Sequence, residues 1–279
     1  MKIEKYHPDI FSLRFTLSHK TFNSQFYRQR LKDLRFSTLN SQFSIPLRAI
    51  VLTSTLYSDN SYMLNLFTDE LGYVSVSVKV GKRSKVRLSH IQPLTLLSVE
   101  LHGRPSQQVM HVTECVALPG CESIATDPAK MLTAQFLAEF LNHTLRQVQS
   151  DLGLFNFIFD SIRRYNTIER GVANFHLIFL VKLTHYMGFF PNLEGLDSGV
   201  CFDLENGCFV RRLPLHNNYL LPNDTMAFVH LLRLNYDTMY LFDVNRQQRN
   251  QIIDYIIKYY KLHMAEFGEL RSLDVLREI

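Results

Sequence analysis

The chain has 279 residues, 46% of them hydrophobic and 20% charged, with 21 Phe, 13 Tyr, no Trp and a formal charge of +4. That length and balance exclude a disulfide-stapled mini-protein, a fibrous repeat and a disordered chain, and leave one large domain or two ordinary ones. The summed charge is weak support for a polyanionic partner, because binding to nucleic acid depends on where cations cluster.

Residues 1–44 hold eight Lys/Arg against three Asp/Glu, a net +5. They show no sustained alternation and no clean 3.6-residue stripe, only a weak helical pattern over 25–34. Three readings compete: a helical appendage, a basic tail for nucleic acid, and a stretch outside the fold with no role of its own, such as a start codon placed too early would add. The dilution of the basic residues favours the third, with 1–44 disordered. Arg14 and His19 interrupt the only apolar stretch here, so no signal peptide is expected.

From Leu47 the pattern becomes period-2, the sign of strands with one buried face. Val74, Val76, Val78 and Val80 alternate with Ser75, Ser77 and Lys79. Reading outward predicts strands at 47–54, 61–68, 73–80, 94–103 and 108–116, with turns at Asp59-Asn60 and Glu70-Leu71-Gly72. Five short strands with one longer connection between the third and fourth suit a Greek-key barrel of OB type, and on pattern alone an SH3-like barrel is the alternative. This segment, 45–120, nets +2 from seven basic and five acidic residues.

After Pro119 the period turns helical. Asp127-Pro128 reads as an N-cap followed by Pro at the first helical position, with Leu132, Phe136, Phe140 and Leu145 recurring behind it. Further helices are expected at 152–165, 168–188, 223–234 and 245–265. The stretch from Cys201 to Phe209 reads as a hairpin turned by Asn206-Gly207. The fold class is therefore α+β: an N-terminal five-stranded OB-fold β-barrel over 45–120, then an all-helical C-terminal domain over 121–279 with a short hairpin near 200–210. The helical segment nets −3. Its most apolar stretch, Phe175 to Phe190, is broken by His176, Lys182 and His185, so it is expected to be a buried core helix rather than a membrane span. Four cysteines in a chain with no secretion signal are expected as reduced thiols in the cytoplasm.

The densest charge feature is Lys79-Val-Gly-Lys-Arg-Ser-Lys-Val-Arg87, five cations in nine residues at the end of the third strand. Such a cluster neutralises phosphates and releases counterions, giving salt-dependent affinity with little sequence preference. Lys79, Lys82, Arg83, Lys85 and Arg87, with Arg104 further along, are the candidate DNA-binding residues. Tyr57, Tyr62, Phe67 and Tyr73 are the candidate base-stacking aromatics. The same residues also fit a solvated turn and barrel packing.

No enzymatic constellation stands out: G-x-S-x-G, the P-loop, H-E-x-x-H and G-x-G-x-x-G are all missing. His176 and His185, nine apart, do not share a helix face and read as packed or capping residues. Cys201 and Cys208 would need two further ligands to hold zinc, and His216 is the nearby candidate for a third. No catalytic residue, metal or cofactor is expected, and a Cys or His hydrolase is the weakest reading.

These residues resemble the bacterial RecO family of recombination and repair proteins. The resemblance runs through Ala49-Ile-Val-Leu, Tyr57-Ser-Asp-Asn, Leu66-Phe-Thr-Asp-Glu-Leu-Gly72 and Gly81-Lys-Arg-Ser-Lys85. It continues through Leu94-Thr-Leu-Leu, Leu101-His-Gly-Arg104, Gly188-Phe-Phe-Pro-Asn-Leu193 and Leu270-Arg-Ser-Leu-Asp-Val-Leu276. It covers roughly residues 45–279, is closest to members from the Bacteroidetes group, and leaves 1–44 outside. The resemblance implies an OB-fold, a helical C-terminal domain, and no enzymatic activity. It also implies binding to single- and double-stranded DNA, strand annealing, association with RecR, and engagement of single-stranded-DNA-binding protein so that RecA loads at gaps. Members that carry zinc place C-x-x-C pairs after the G-[FY]-x-P-x-L stretch, where this chain reads Glu194-Gly-Leu-Asp-Ser-Gly199 without them. Beside the mediator stands an adaptor whose DNA contacts come mainly from its partner, in keeping with a net charge of only −1 over 45–279.

Overall fold

In a computed structural model, which describes residues 45–81, 84–102, 109–196 and 199–278, the alternating segment becomes five strands. They are β1 (Ile45–Ser58), β2 (Ser61–Thr68), β3 (Gly72–Lys79), β4 (Leu96–His102) and β5 (Met110–Ala117). They close into a barrel in the order β1-β2-β3-β5-β4. All neighbours are antiparallel except β3 and β5, whose parallel pairing sets Val76 beside Met110 and Ser77 beside His111. This is the OB-type connectivity. One parity of β1 to β4 fills the barrel: Leu47, Ala49, Val51, Leu64, Leu66, Val76, Val78, Leu97 and Val99 are buried together, with Met110 and Cys115 of β5 on either side of a register shift.

Strand β1 runs four residues beyond the expected end at 54 and stays paired with β2 to Ser58, through two bulges. Register shifts fall between Val51 and Thr53 and between Leu56 and Ser58. An extra residue in one strand re-aims the side chains around it. At the first bulge Leu52 turns out of the barrel into the helical core, and at the second Tyr57 is left without a partner on β2.

The helices are α1 (Glu122–Thr126), α2 (Pro128–Thr144), α3 (Leu152–Thr167), α4 (Phe175–Met187), α5 (Pro222–Arg233), α6 (Arg246–His263) and α7 (Ser272–Leu276). Asp127 caps α2 by accepting the N–H groups of Ala129 at 2.9 Å and Lys130 at 3.2 Å, and Asp151 caps α3 through Leu154. Asn245 and Gln248 form a reciprocal capping box at the start of α6. The helix expected from 168 begins at 175 instead. Gly171 sits at φ +71, and a Cβ there would meet the backbone of Tyr240 at 2.8 Å, so the chain turns before it can enter the helix.

The hairpin stands as expected, with β6 (Cys201–Asp203) and β7 (Cys208–Val210). Asp203 shapes its turn by accepting from the N–H groups of Glu205 and Asn206, and Gly207 takes φ +62. A third strand, β8 (Tyr219–Leu220), pairs on the other side of β6. Two residues are too few to leave a period in the sequence.

Barrel and helices share one hydrophobic cluster. Ile50, Leu52, Phe67, Leu94 and Leu96 are buried in it with residues of α2, α3 and α4. Polar groups staple the same joint. Arg48 pairs with Asp69 at 2.9 Å, donates to Asn156 of α3 at 3.0 Å and lies over the Phe155 ring at 5.0 Å. Asn142 of α2 accepts from Tyr73 at 2.8 Å and from Asn65 at 3.3 Å.

In α4, His176 is 6% exposed, and burial, helped by nearby Arg249, pushes its pKa down to about 3. The folded state therefore holds the neutral ring while the unfolded chain protonates near the ordinary value of about 6.5. Its contribution to stability is present above that value and is lost as pH falls toward 3. Between pH 7 and pH 5 we expect about 2 kcal/mol of this stability to vanish. Denaturant unfolding at the two pH values, compared with His176→Leu, isolates the effect, because the variant lacks this share of the pH dependence.

Candidate nucleic-acid interface

The basic turn after β3 is held at both ends by the barrel core. Val80 and Val86 pair through an isolated bridge, are 7% and 5% exposed, and both belong to the barrel cluster. Alternation around these two anchors sends Lys79, Lys85 and Arg87 to solvent. Between them Ser84 donates its N–H to the Gly81 carbonyl at 3.0 Å and its hydroxyl to the Lys79 carbonyl, and accepts the Val86 N–H at 3.1 Å. A Cβ at Gly81 would meet nothing within 4 Å, so this backbone is open to close approach by a ligand. Lys82, Arg83 and Arg104 lie outside the described residues.

The exposed cations are not equivalent. Lys85 forms an ion pair with Glu114 of β5. Glu114 stands opposite Glu100 on β4, so Lys85 covers an acidic spot on the outer wall of the barrel. Lys79 ends β3 opposite Ser61, at the head of an outward row. The next row joins Met63, Ser77 and His111, where the Ser77 hydroxyl and His111 Nδ1 are 2.5 Å apart, and His102 faces His111 from β4. Sequence reasoning missed both histidines. The parallel β3–β5 pairing that brings residue 111 beside residue 77 spans 34 positions and has no local signature.

The four candidate stacking aromatics separate into different roles. Phe67 is fully buried, with its ring 5.9 Å from that of Phe155, so the expectation of a base platform is corrected to a packing role at the joint. Tyr73 is corrected likewise: it packs on the helical core and its hydroxyl donates to Asn142. Both face outward from the barrel, but helices cover that outer face. Tyr62 lies on the inward parity opposite Val78 and packs against the end of the barrel core. Tyr57 is 59% exposed.

His216 turns toward the hairpin carboxylates, with Nε2 3.4 Å from Asp203 and 3.5 Å from Glu205. Cys208 pairs with Asp203 across the hairpin and Cys201 with Val210, and all four cysteines are free thiols. Among the described residues no group of three or more His, Cys, Asp or Glu is arranged to hold a metal ion, and no helix is long and apolar enough to cross a membrane.

Two family models match the chain. "Recombination protein O N terminal" covers residues 44–119, and "Recombination protein O C terminal" covers residues 125–274. The DNA repair protein RecO of Phocaeicola vulgatus is 37% identical over 232 residues, 82% of this chain and 96% of the relative. That of Azobacteroides pseudotrichonymphae is 34% identical over 234 residues, 83% of this chain and 97% of the relative. That of Porphyromonas gingivalis is 32% identical over 235 residues, 82% of this chain and 96% of the relative.

Proposed function

This chain belongs to the recombination protein O family of DNA repair proteins, and we propose that it works as a mediator without turnover chemistry. In this reading it binds single- and double-stranded DNA and anneals complementary strands. With RecR, it helps RecA load onto strands coated by single-stranded-DNA-binding protein, in the cytoplasm. The observation that carries the reading is the clasped basic turn: Lys79, Lys85 and Arg87 project from a base fixed by Val80 and Val86. Annealing needs no catalytic group. Two polyanions must approach while their bases search for partners, and fixed cations that displace counterions lower that repulsion. The helical part then supplies protein-binding surface.

A strand-annealing assay on protein-coated single strands, with and without RecR, tests this. We expect the chain to speed annealing, and a rate equal to the uncatalysed one would overturn the proposal. The same assay with a chain starting at Ile45 tells whether residues 1–44 contribute. The adaptor reading draws support from the Lys85–Glu114 pair, which neutralises one of the cluster's charges. It requires DNA binding to be absent until RecR is added.

That pair also yields a directional result. Glu114→Gln frees Lys85 and removes a negative charge from the same surface, and we expect affinity for single-stranded DNA to rise about 3- to 10-fold at low salt. Fluorescence anisotropy with a labelled oligonucleotide reads it, and an unchanged Kd removes Lys85 from the contact.

A further inference from the structure

The end of the β1–β2 ribbon has a different chemistry from the basic turn that opens beside it. Pairing of β1 with β4 ends at Ile50 opposite Leu96, whereas pairing with β2 continues to Ser58 opposite Ser61. The far half of β1 is thus the edge strand of a three-stranded ribbon, in which β2 stays paired with β3 out to Ser61 opposite Lys79, and residues 54–60 are all exposed. At about 3.3 Å per residue it reaches roughly 20 Å to its Asp59-Asn60 turn.

Between Arg48 and Lys79 the sequence contains no Lys or Arg. The bulge after Leu56 breaks the strand alternation, and Leu56 and Tyr57 stand next to each other at the tip, 55% and 59% exposed. The one acidic residue there is Asp59. Cations begin at this same end, two strands across, where Ser61 stands between Ser58 and Lys79 and the Val80 N–H reaches the Asn60 carbonyl at 2.8 Å. A tip that offers an aliphatic group beside a phenol ring, with cations next to it, suits the faces of bases whose phosphates those cations can hold. An aromatic ring stacks on a base, and an aliphatic wedge fills the space over an unstacked step.

We propose that the Leu56–Tyr57 tip docks on the exposed terminal base pair where duplex DNA meets single strand, while Lys79, with Lys85 and Arg87 beyond it, holds the phosphates of the emerging strand. This rests on the DNA-binding reading above and deepens it by naming the form of DNA. During annealing such a tip covers the base pair formed last.

The test uses the full chain and a short duplex with a single-stranded tail. 2-Aminopurine is placed either at the terminal pair or inside the duplex, and a plain single strand of the same length serves as control. We expect the junction to bind at least about fivefold more tightly than the single strand, within the range of one stacked base. The terminal fluorophore should respond and the internal one stay silent. The double variant Leu56→Ser/Tyr57→Ser should lose both the preference and the signal, and melt as the parent does because both side chains are exposed. Tyr57→Phe should retain both. Equal affinity for junction and single strand in the parent, or a double variant that keeps the preference, overturns the proposal. Failure to bind either DNA overturns the DNA-binding reading, and the ribbon's role falls with it.

Discussion

Replacing Lys79, Lys85 and Arg87 together with Glu is expected to weaken binding to single-stranded DNA by at least about a hundredfold at low salt. Each cation that meets a phosphate contributes about 0.9 to the slope of log K against log salt on duplex and about 0.7 on single strands. Loss of three contacts should therefore flatten the single-strand slope by roughly 2. Adding Lys82→Glu and Arg83→Glu should deepen the loss. The fold should stand, because the three side chains are exposed and the valines that seat the turn are untouched. A titration series across salt concentrations measures both quantities. Unchanged affinity and slope would move the DNA contact away from this turn.

The second large effect concerns Phe67. Its ring is fully buried between β2 and α3, against a Phe155 ring that is itself fully buried and covered by the Arg48 guanidinium. Phe67→Ala leaves a cavity where the joint cannot close up, and we expect a loss of about 3–5 kcal/mol in denaturant unfolding. Phe67→Leu keeps much of the volume without an aromatic face and should recover more than half of that loss. If Phe67 served as a base platform, the Leu variant would bind single strands as poorly as the Ala variant. We expect it instead to bind within about twofold of the parent, at a temperature where both are folded.

Phe67 and Tyr73 also mark the limit of what the sequence discloses. The Val/Ser alternation from Val74 to Val80 reveals a strand and its two faces. It does not reveal whether the outer face meets water or a helix, so Phe67 and Tyr73 look like surface aromatics until α2 and α3 are in place. Local signals read well: Asp127-Pro128 opens a helix, Asn206-Gly207 turns a hairpin, and Lys79, Lys85 and Arg87 stand exposed around the Val80–Val86 bridge. What needs a distant partner does not read. Arg48 meets Asp69 and Asn156, 21 and 108 positions away, and nothing near it in the chain marks it as a staple. Lys85 looks like any other cation of its cluster, although Glu114, 29 positions on, pairs with it. The helix expected at 168 starts late because Tyr240 presses on Gly171, a contact between segments almost seventy residues apart.

The hydrophobic cluster that runs from β1 and β2 into α2, α3 and α4 has a consequence for how the molecule melts. The two matched family segments meet between residues 119 and 125, yet Ile50, Leu52 and Phe67 from the first are packed among the side chains of the second. Pulling the barrel away would expose these residues to water, so the two segments should lose structure together in a single calorimetric transition. Exchange of barrels between relatives would then have to carry Arg48, Phe67, Tyr73 and Asn142 as a set, making the joint, rather than the boundary between segments, the unit that is inherited.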